Sequence, residues 1–421
     1  MPKTLNQAQT SVQRNYLSIV LFSGVYIYFL FALFLPFAKW WPDVLRSLTV
    51  SDELIRFEPR NYTILVYFFG LLGVVCGYFF SVKFLPVLAP PESQYAPNKK
   101  MNRIMAVVIA AISGCSFLAQ VWLSKGFPVF ALQERWIMNA KLVLGVALII
   151  PVVAGLFAVF GITRKTLFGF VLVLLVTAAL GTRSMPMSLV FAVLFAYFLY
   201  AKFKDAVKIL GFGLTLGLVV VVVLGAFTKT VIYDPHASEI DFRRGFSLLQ
   251  SDAIGTFYNL DSVISAVDNP AIGNTKGKMF IDTALNMVPG YTRDYANFQI
   301  GKLLHGRESV TVGGVEIERS VSLTATFVGA PYADGGVCDV IAVSFLLGLF
   351  MAQFEGVAMR VRWFSGYYGF YLAHMVSAIY GGIYNHMLFS ATIMCFLGIV
   401  YIYITNVRNS YKLENQLVAV K

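Results

Sequence analysis

Charged residues are scarce in this chain: Asp, Glu, Lys and Arg together make up 13% of 421 residues, where a soluble chain carries about 25%. Its 58% hydrophobic content is too much for one or two globular cores to hide from water, which excludes an ordinary soluble protein and leaves lipid as the solvent. Cysteine is also sparse. Cys76, Cys115, Cys338 and Cys395 lie in or beside apolar stretches without CxxC spacing, which argues against disulfide and metal roles and predicts buried packing residues. A phosphate-cradling P-loop, a GxGxxG after a strand and a GxSxG are missing, so nothing supports ATP-driven or hydride chemistry. The short alternating segments of a β-barrel are absent. So is any internal repeat, which withholds support from an inverted-repeat transporter.

Long apolar runs are abundant. Spans of about 20 such residues are what a bilayer requires of a helix, and they fall at 16–36, 62–86, 104–124, 142–161, 167–180, 186–202, 207–227, 339–359, 366–384 and 388–405. A lipid-facing backbone must satisfy its own hydrogen bonds, so these runs predict an all-α polytopic membrane protein of about ten transmembrane helices. The first run is too long, and its flanks are wrong, for a cleaved signal peptide, so it is expected to stay as an anchor. The net charge of +11 then reflects topology, and no nucleic-acid partner is expected. Lys3 and Arg14, Lys99, Lys100 and Arg103, Arg164 and Lys165, Lys202, Lys204 and Lys208, Arg360 and Arg362, and Arg408 and Lys412 fall in every second gap, both tails included. The positive-inside rule puts these gaps, and therefore both termini, in the cytoplasm.

Three regions follow: an N-terminal bundle of seven spans over 1–227, a large extracytoplasmic loop domain over 228–337, and a C-terminal bundle of three spans with a cytoplasmic tail over 338–421. The large loop carries Phe246, Phe257, Tyr258, Phe280, Tyr291, Tyr295 and Phe327 among its charges. A segment that rich in aromatics can fold, and amphipathic helices are predicted over 246–267 and 278–287.

The extracytoplasmic arginines are the first chemical candidates. Arg183 is the sole charge of the turn Gly181-Thr182-Arg183-Ser184 between two short apolar spans, and an ionisable group at membrane depth is a functional candidate. Its bland alternative is a snorkelling side chain at a helix end. Arg243-Arg244 opens the large loop, Arg293 sits in Pro289-Gly290-Tyr291-Thr292-Arg293, Arg319 precedes a Ser/Thr stretch, and Arg135 follows Gln133-Glu134. Each taken singly reads as a solvated or ion-paired surface residue. Taken together they suggest an anion site, because guanidinium binds phosphate in a bidentate way and keeps its charge. The acidic pairs Asp52/Glu53, Glu239/Asp241 and Glu316/Glu318 fall short of a metal site. His374 reads as a core residue. His305, in the large loop, remains a candidate general base.

Four stretches carry a family resemblance. Gly126-Phe127-Pro128 followed by Arg135 resembles a Gly-x-Pro loop with a later arginine. Gly181-Thr182-Arg183-Ser184 resembles a Gly-Ser-Arg-Gly turn. Ala284 to Pro289 resembles an apolar-Pro stretch leading into an arginine. Gly329-Ala330-Pro331-Tyr332-Ala333-Asp334-Gly335-Gly336 resembles a Gly-Glu-x-Tyr-x-Asn-Phe-Gly entry to a span. These stretches, with the layout of a large loop before the last three spans, resemble the Wzy-type O-antigen (oligosaccharide repeat-unit) polymerases. Two departures stand out: Ala330 takes the place of the usual glutamate, and the arginine expected beside Pro289 is displaced to Arg293.

The resemblance implies a GT-C-like helical fold in the bacterial inner membrane and a metal-independent glycosyltransferase without cofactor. Its substrates would be undecaprenyl-pyrophosphate-linked glycans, with membrane lipid around it and a chain-length-regulating membrane protein as a further partner. Arg183 and Arg293 would hold the pyrophosphate, with Arg135, Arg243, Arg244 and Arg319 in support. Tyr332 and Asp334 would orient the acceptor, Asp334 also as a base. Three rivals stay open: an O-antigen ligase using His305, a transporter or flippase of lipid-linked sugars, and a metal-dependent mannosyl-type transferase using Asp52 and Glu53.

Overall fold

The computed structural model describes residues 16–34, 59–88, 99–128, 140–180, 184–200, 242–288, 291, 296–305, 308–312, 315–319 and 323–419. Along the chain these form α1 (Leu17–Phe34), α2 (Asn61–Phe84), α3 (Lys99–Leu123), α4 (Ala140–Ala147), α5 (Ile149–Phe160), α6 (Arg164–Ala179) and α7 (Ser184–Phe198). There follow α8 (Phe242–Asp268), α9 (Lys278–Leu285), α10 (Ala296–His305), strands β1 (Glu308–Val312) and β2 (Val315–Arg319), α11 (Gly329–Arg360), a 3-10 turn (Arg362–Phe364), α12 (Ser365–Gly381) and α13 (His386–Ala419). The protein is thus helical as expected, and among the described residues the one sheet is a small antiparallel strand pair whose register pairs Glu308 with Arg319 and Val312 with Val315.

Among the described residues five helical stretches are long and apolar enough to cross a membrane: Asn61–Phe84, Arg103–Leu123, Lys141–Phe160, Gly329–Arg360 and His386–Thr405. Ser18–Leu30 and Ser184–Tyr197 are shorter apolar helices. The expected span at 207–227 lies outside the described residues. Two predicted spans have visible breaks. The fourth is interrupted at Leu148, because Pro151 has no N–H for the carbonyl of Ala147 and its ring crowds that carbonyl. The eighth, expected from residue 339, begins instead at Gly329 and bends where Gly335 (φ −149°, ψ 21°) and Gly336 (φ 69°, ψ −152°) leave helical geometry. At 1.5 Å per residue the segment after the bend still spans roughly 36 Å, enough for a bilayer.

The chain forms two compact units, each assembled from segments distant in sequence. One comprises 1–85, 239–352 and 374–390; the other comprises 86–238, 353–373 and 391–421.

The first unit is built on close approach of α2 and the N-terminal part of α11. Gly70, Gly73 and Gly77 recur at helical spacing. A Cβ on Gly73 would lie 2.7 Å from Ser344 Cβ, one on Gly77 would enter the Phe345 backbone, and one on Gly348 would enter the Val74 carbonyl. Small residues of this kind let helices approach in lipid, where no hydrophobic effect pulls them together. An aromatic core sits beside this seam. Tyr26 and Tyr67 stack at 4.1 Å, Tyr67 meets Phe257 at 4.8 Å, and Phe327 packs on Phe22 and Tyr26. The two phenols satisfy each other's helices: Tyr26 Oη donates to the Tyr67 carbonyl at 2.8 Å and Tyr67 Oη to the Tyr26 carbonyl at 3.2 Å. Helix α8 presents Phe257, Leu260 and Ile264, all buried, at the spacing of one helical face.

In the second unit, α5 packs on α7 and on the 3-10 turn. Glycine again sets the distance: a Cβ on Gly155 would lie 2.6 Å from the Trp363 carbonyl, and one on Gly369 would meet the Ala192 carbonyl. The Arg362 guanidinium lies 5.4 Å from the centre of the Tyr200 ring, and Tyr200 donates to the Ala358 carbonyl. Buried Glu355 accepts from Tyr368 at 3.3 Å. His374, in the first unit, is buried as expected of a core residue. The cysteine expectation needs correction. Only Cys395 is buried; Cys76, Cys115 and Cys338 are exposed on the sides of apolar helices, all four as free thiols. A small, weakly polar thiol costs little against lipid, so an apolar stretch does not dictate an inward cysteine.

Candidate functional site

In the first unit the segment 323–336 holds two of the sequence candidates and a set of long-range hydrogen bonds. It is bounded by unusual backbone on both sides. Thr326 has φ 55° and is fully buried, and its Oγ1 has no partner among the described residues. A β-branched residue there is a true conformational outlier. At the other end stands the Gly335–Gly336 bend.

Between them lies Asp334, 1% exposed. Its Oδ1 accepts from the backbone N–H of Met279 at 3.0 Å and from the Thr275 hydroxyl, and its Oδ2 accepts from the N–H of Phe280 at 2.9 Å. Those amides belong to the first turn of α9, which leaves its leading N–H groups without helical partners. The local cap position of α9 is Gly277, in left-handed geometry and without a side chain to help. Asp334 therefore supplies the missing cap from more than fifty residues away, its charge facing the positive end of the α9 dipole. Thr275 reinforces the joint, its N–H donating to the Ala333 carbonyl at 2.8 Å. Beyond it, the Phe280 ring meets Tyr384 and Phe389, both at 5.6 Å.

Tyr332, two residues before, is also buried. Its hydroxyl donates to Asp268 Oδ1 at 3.0 Å and lies 3.3 Å from the Tyr62 hydroxyl. A phenol has one proton, so with that proton on Asp268 the Tyr62 hydroxyl is the donor to Tyr332. The chain of bonds runs Tyr62 to Tyr332 to Asp268 and ties α2, α11 and α8 at one point. Seven residues back along α8, Asp261 takes Arg60 Nε at 2.8 Å on Oδ1 together with the Thr63 hydroxyl, and its carbonyl takes Arg60 Nη2 at 2.8 Å. Asn259 Nδ2 donates to the Thr324 carbonyl at 2.8 Å and holds the entry of the segment.

Of the sequence-predicted site residues, only Tyr332 and Asp334 have described side chains, and both fall in this segment. Arg135, Arg183 and Arg293 lie outside the described residues. Arg243 and Arg244 fall in the first turn of α8, and Arg319 ends β2 opposite Glu308; their side chains also lie outside what is described. Among the described residues no three His, Cys, Asp or Glu side chains are grouped closely enough to hold a metal ion.

Sequence reasoning passed over Arg60, Tyr62, Asp261, Asp268 and Thr275. The spacing of Asp261 and Asp268, two turns of one helix face, was visible. The partners of Asp261 at 60–63 are about two hundred residues away and that of Asp268, Tyr332, is sixty-four away, and no local pattern points to them.

A multi-pass helical membrane protein is the class these elements define. Within that class the chain belongs to the O-antigen polymerase family: residues 15–391 match the family described as "Putative O-antigen polymerase". The match takes in all four stretches that carry the resemblance, and the family implies polymerisation of lipid-linked repeat units. No curated protein and no solved structure matches the chain.

Proposed function

We propose that this protein is a metal-independent glycosyltransferase that polymerises oligosaccharide repeat units carried on undecaprenyl pyrophosphate. It would act at the periplasmic face of a bacterial inner membrane, with about ten spans in a GT-C-like arrangement and both termini in the cytoplasm. The observation that carries the reading is the family match over residues 15–391.

In the proposed reaction an acceptor hydroxyl on one repeat unit attacks the anomeric carbon of the donor glycan. A glycosidic C–O bond forms, the bond to the pyrophosphate breaks, and undecaprenyl pyrophosphate leaves with the electron pair while the hydroxyl proton passes to a base. Negative charge grows on the leaving pyrophosphate, so preorganised cations are the main help the protein can give. Arg183 and Arg293 are assigned that role, with Arg135, Arg243, Arg244 and Arg319 as supporting contacts. Holding both lipid-linked substrates side by side supplies the orientation. Asp334, with both oxygens engaged, contributes by fixing α9 and the segment that carries Tyr332.

The test is reconstitution with lipid-linked repeat units. A ladder of products without added metal or nucleotide is the expected result. Arg183→Ala should abolish the ladder while the protein still inserts, and a normal ladder from that variant would remove Arg183 from the site.

A further inference from the structure

We infer that the exposed ring of Tyr62 and the carboxylate of Asp268 form a subsite for one sugar ring of the glycan, an inference that rests on the glycan-transfer reading above. Asp268 is exposed at the last residue of α8. One of its oxygens accepts a hydrogen bond from the Tyr332 hydroxyl; the other has no partner among the described residues. A helix C-terminus carries partial negative charge and disfavours an acid there, so the helix alone gives no reason for this residue. Tyr62 is 42% exposed. It meets the buried Tyr332 ring at 78° with centroids 6.5 Å apart, and its hydroxyl points into the bonded chain.

An exposed aromatic ring beside an acceptor-only carboxylate matches the two sides of a pyranose. The axial C–H groups form an apolar face that stacks on a ring. The hydroxyl rim donates, and an ionised carboxylate can accept two such hydroxyls. The same carboxylate repels phosphate, so this place suits the neutral sugar portion and not the pyrophosphate. It is also preorganised, because Tyr332 orients the carboxylate and the Arg60–Asp261 pair fixes α8 two turns earlier against the start of α2. Rigid placement of this kind lowers the entropic cost of binding.

Initial polymerisation rates of the full-length chain in nanodiscs, measured across repeat-unit concentration, test the inference. Asp268→Asn and Tyr62→Ala should each raise KM about tenfold, the loss expected from one charge-assisted hydrogen bond or one stacked face, with kcat within about twofold. Ser265→Ala, one turn back on α8, serves as the control at wild-type KM. A clamp without ligand would instead lower the melting temperature and leave KM alone, and that result would overturn the subsite. If the wild type makes no polymer, the glycan-transfer reading itself fails. The subsite is then decided by saturation-transfer NMR with the free repeat-unit oligosaccharide, which carries neither lipid nor phosphate. Binding that disappears in Asp268→Asn sustains it, and no binding to the wild type, or equal binding to both, overturns it.

Discussion

Replacing Asp334 by Asn removes the charge that caps α9 and leaves the volume nearly unchanged. In the wild type two backbone N–H groups and one hydroxyl converge on the two carboxylate oxygens of a side chain 1% exposed. The amide retains one acceptor oxygen. Its NH2 group turns a donor toward Met279 or Phe280, so at least one buried N–H loses its partner. Hydrogen bonds to a charged group contribute about 1.5–3 kcal/mol each, and an orphaned buried donor costs a similar amount, so the joint should weaken by roughly 2–4 kcal/mol. If α9 opens locally, its amides should exchange with deuterium about thirtyfold to several hundredfold faster. Hydrogen exchange read by mass spectrometry on the nanodisc-embedded protein measures this directly, with a peptide covering 278–288 compared against one from α2. Wild-type exchange in that peptide would refute the capping role. So would an equal acceleration in both peptides, which would mean global loosening and not a local cap.

Two further predictions test the geometry of α11. Gly336 occupies φ 69°, ψ −152°, a region essentially restricted to glycine, so Gly336→Ala should cost about 1–3 kcal/mol and lower the melting temperature by several degrees; an unchanged midpoint would show that the bend is not obligatory. Gly77 has no room for a side chain against the Phe345 backbone, so Gly77→Leu should separate α2 from α11 and reduce the yield of monodisperse protein. A cysteine pair placed across that seam in the variant should lose its cross-link, and cross-linking at the wild-type rate would contradict the packing.

What was legible in the sequence was whatever a local pattern can encode. Continuous apolar runs located the helices at 17–34, 61–84 and 99–123 within a few residues, because lipid demands length and composition of each span independently of the others. The amphipathic rhythm of 246–267 likewise foretold α8, whose buried Phe257, Leu260 and Ile264 recur on one face. The motif Gly329 to Gly336 was legible as a place of interest, and its two terminal glycines mark a bend. What it does there was not. Asp334 looked like chemistry because an acid beside a span is conspicuous, yet its partners are the N–H groups of residues 279 and 280, which any sequence would possess at those positions. A backbone donor leaves no signature in composition. The same limit hid Arg60 and Asp261, ordinary charges until the fold brings them to 2.8 Å.

The lesson extends to the choice between the two acids flanking Tyr332. Both accept hydrogen bonds, but Asp334 is buried with both oxygens occupied, whereas Asp268 is exposed with one oxygen committed. A carboxylate that must bind or deprotonate a substrate hydroxyl needs an accessible lone pair, and an acid that must hold a helix needs the opposite. On that ground the proposed sugar subsite falls to Asp268, and the bonds of Asp334 hold α9 to the segment. The motif position that first drew notice is the scaffold, and the residue that scaffold orients through Tyr332 sits sixty-four positions earlier in the chain.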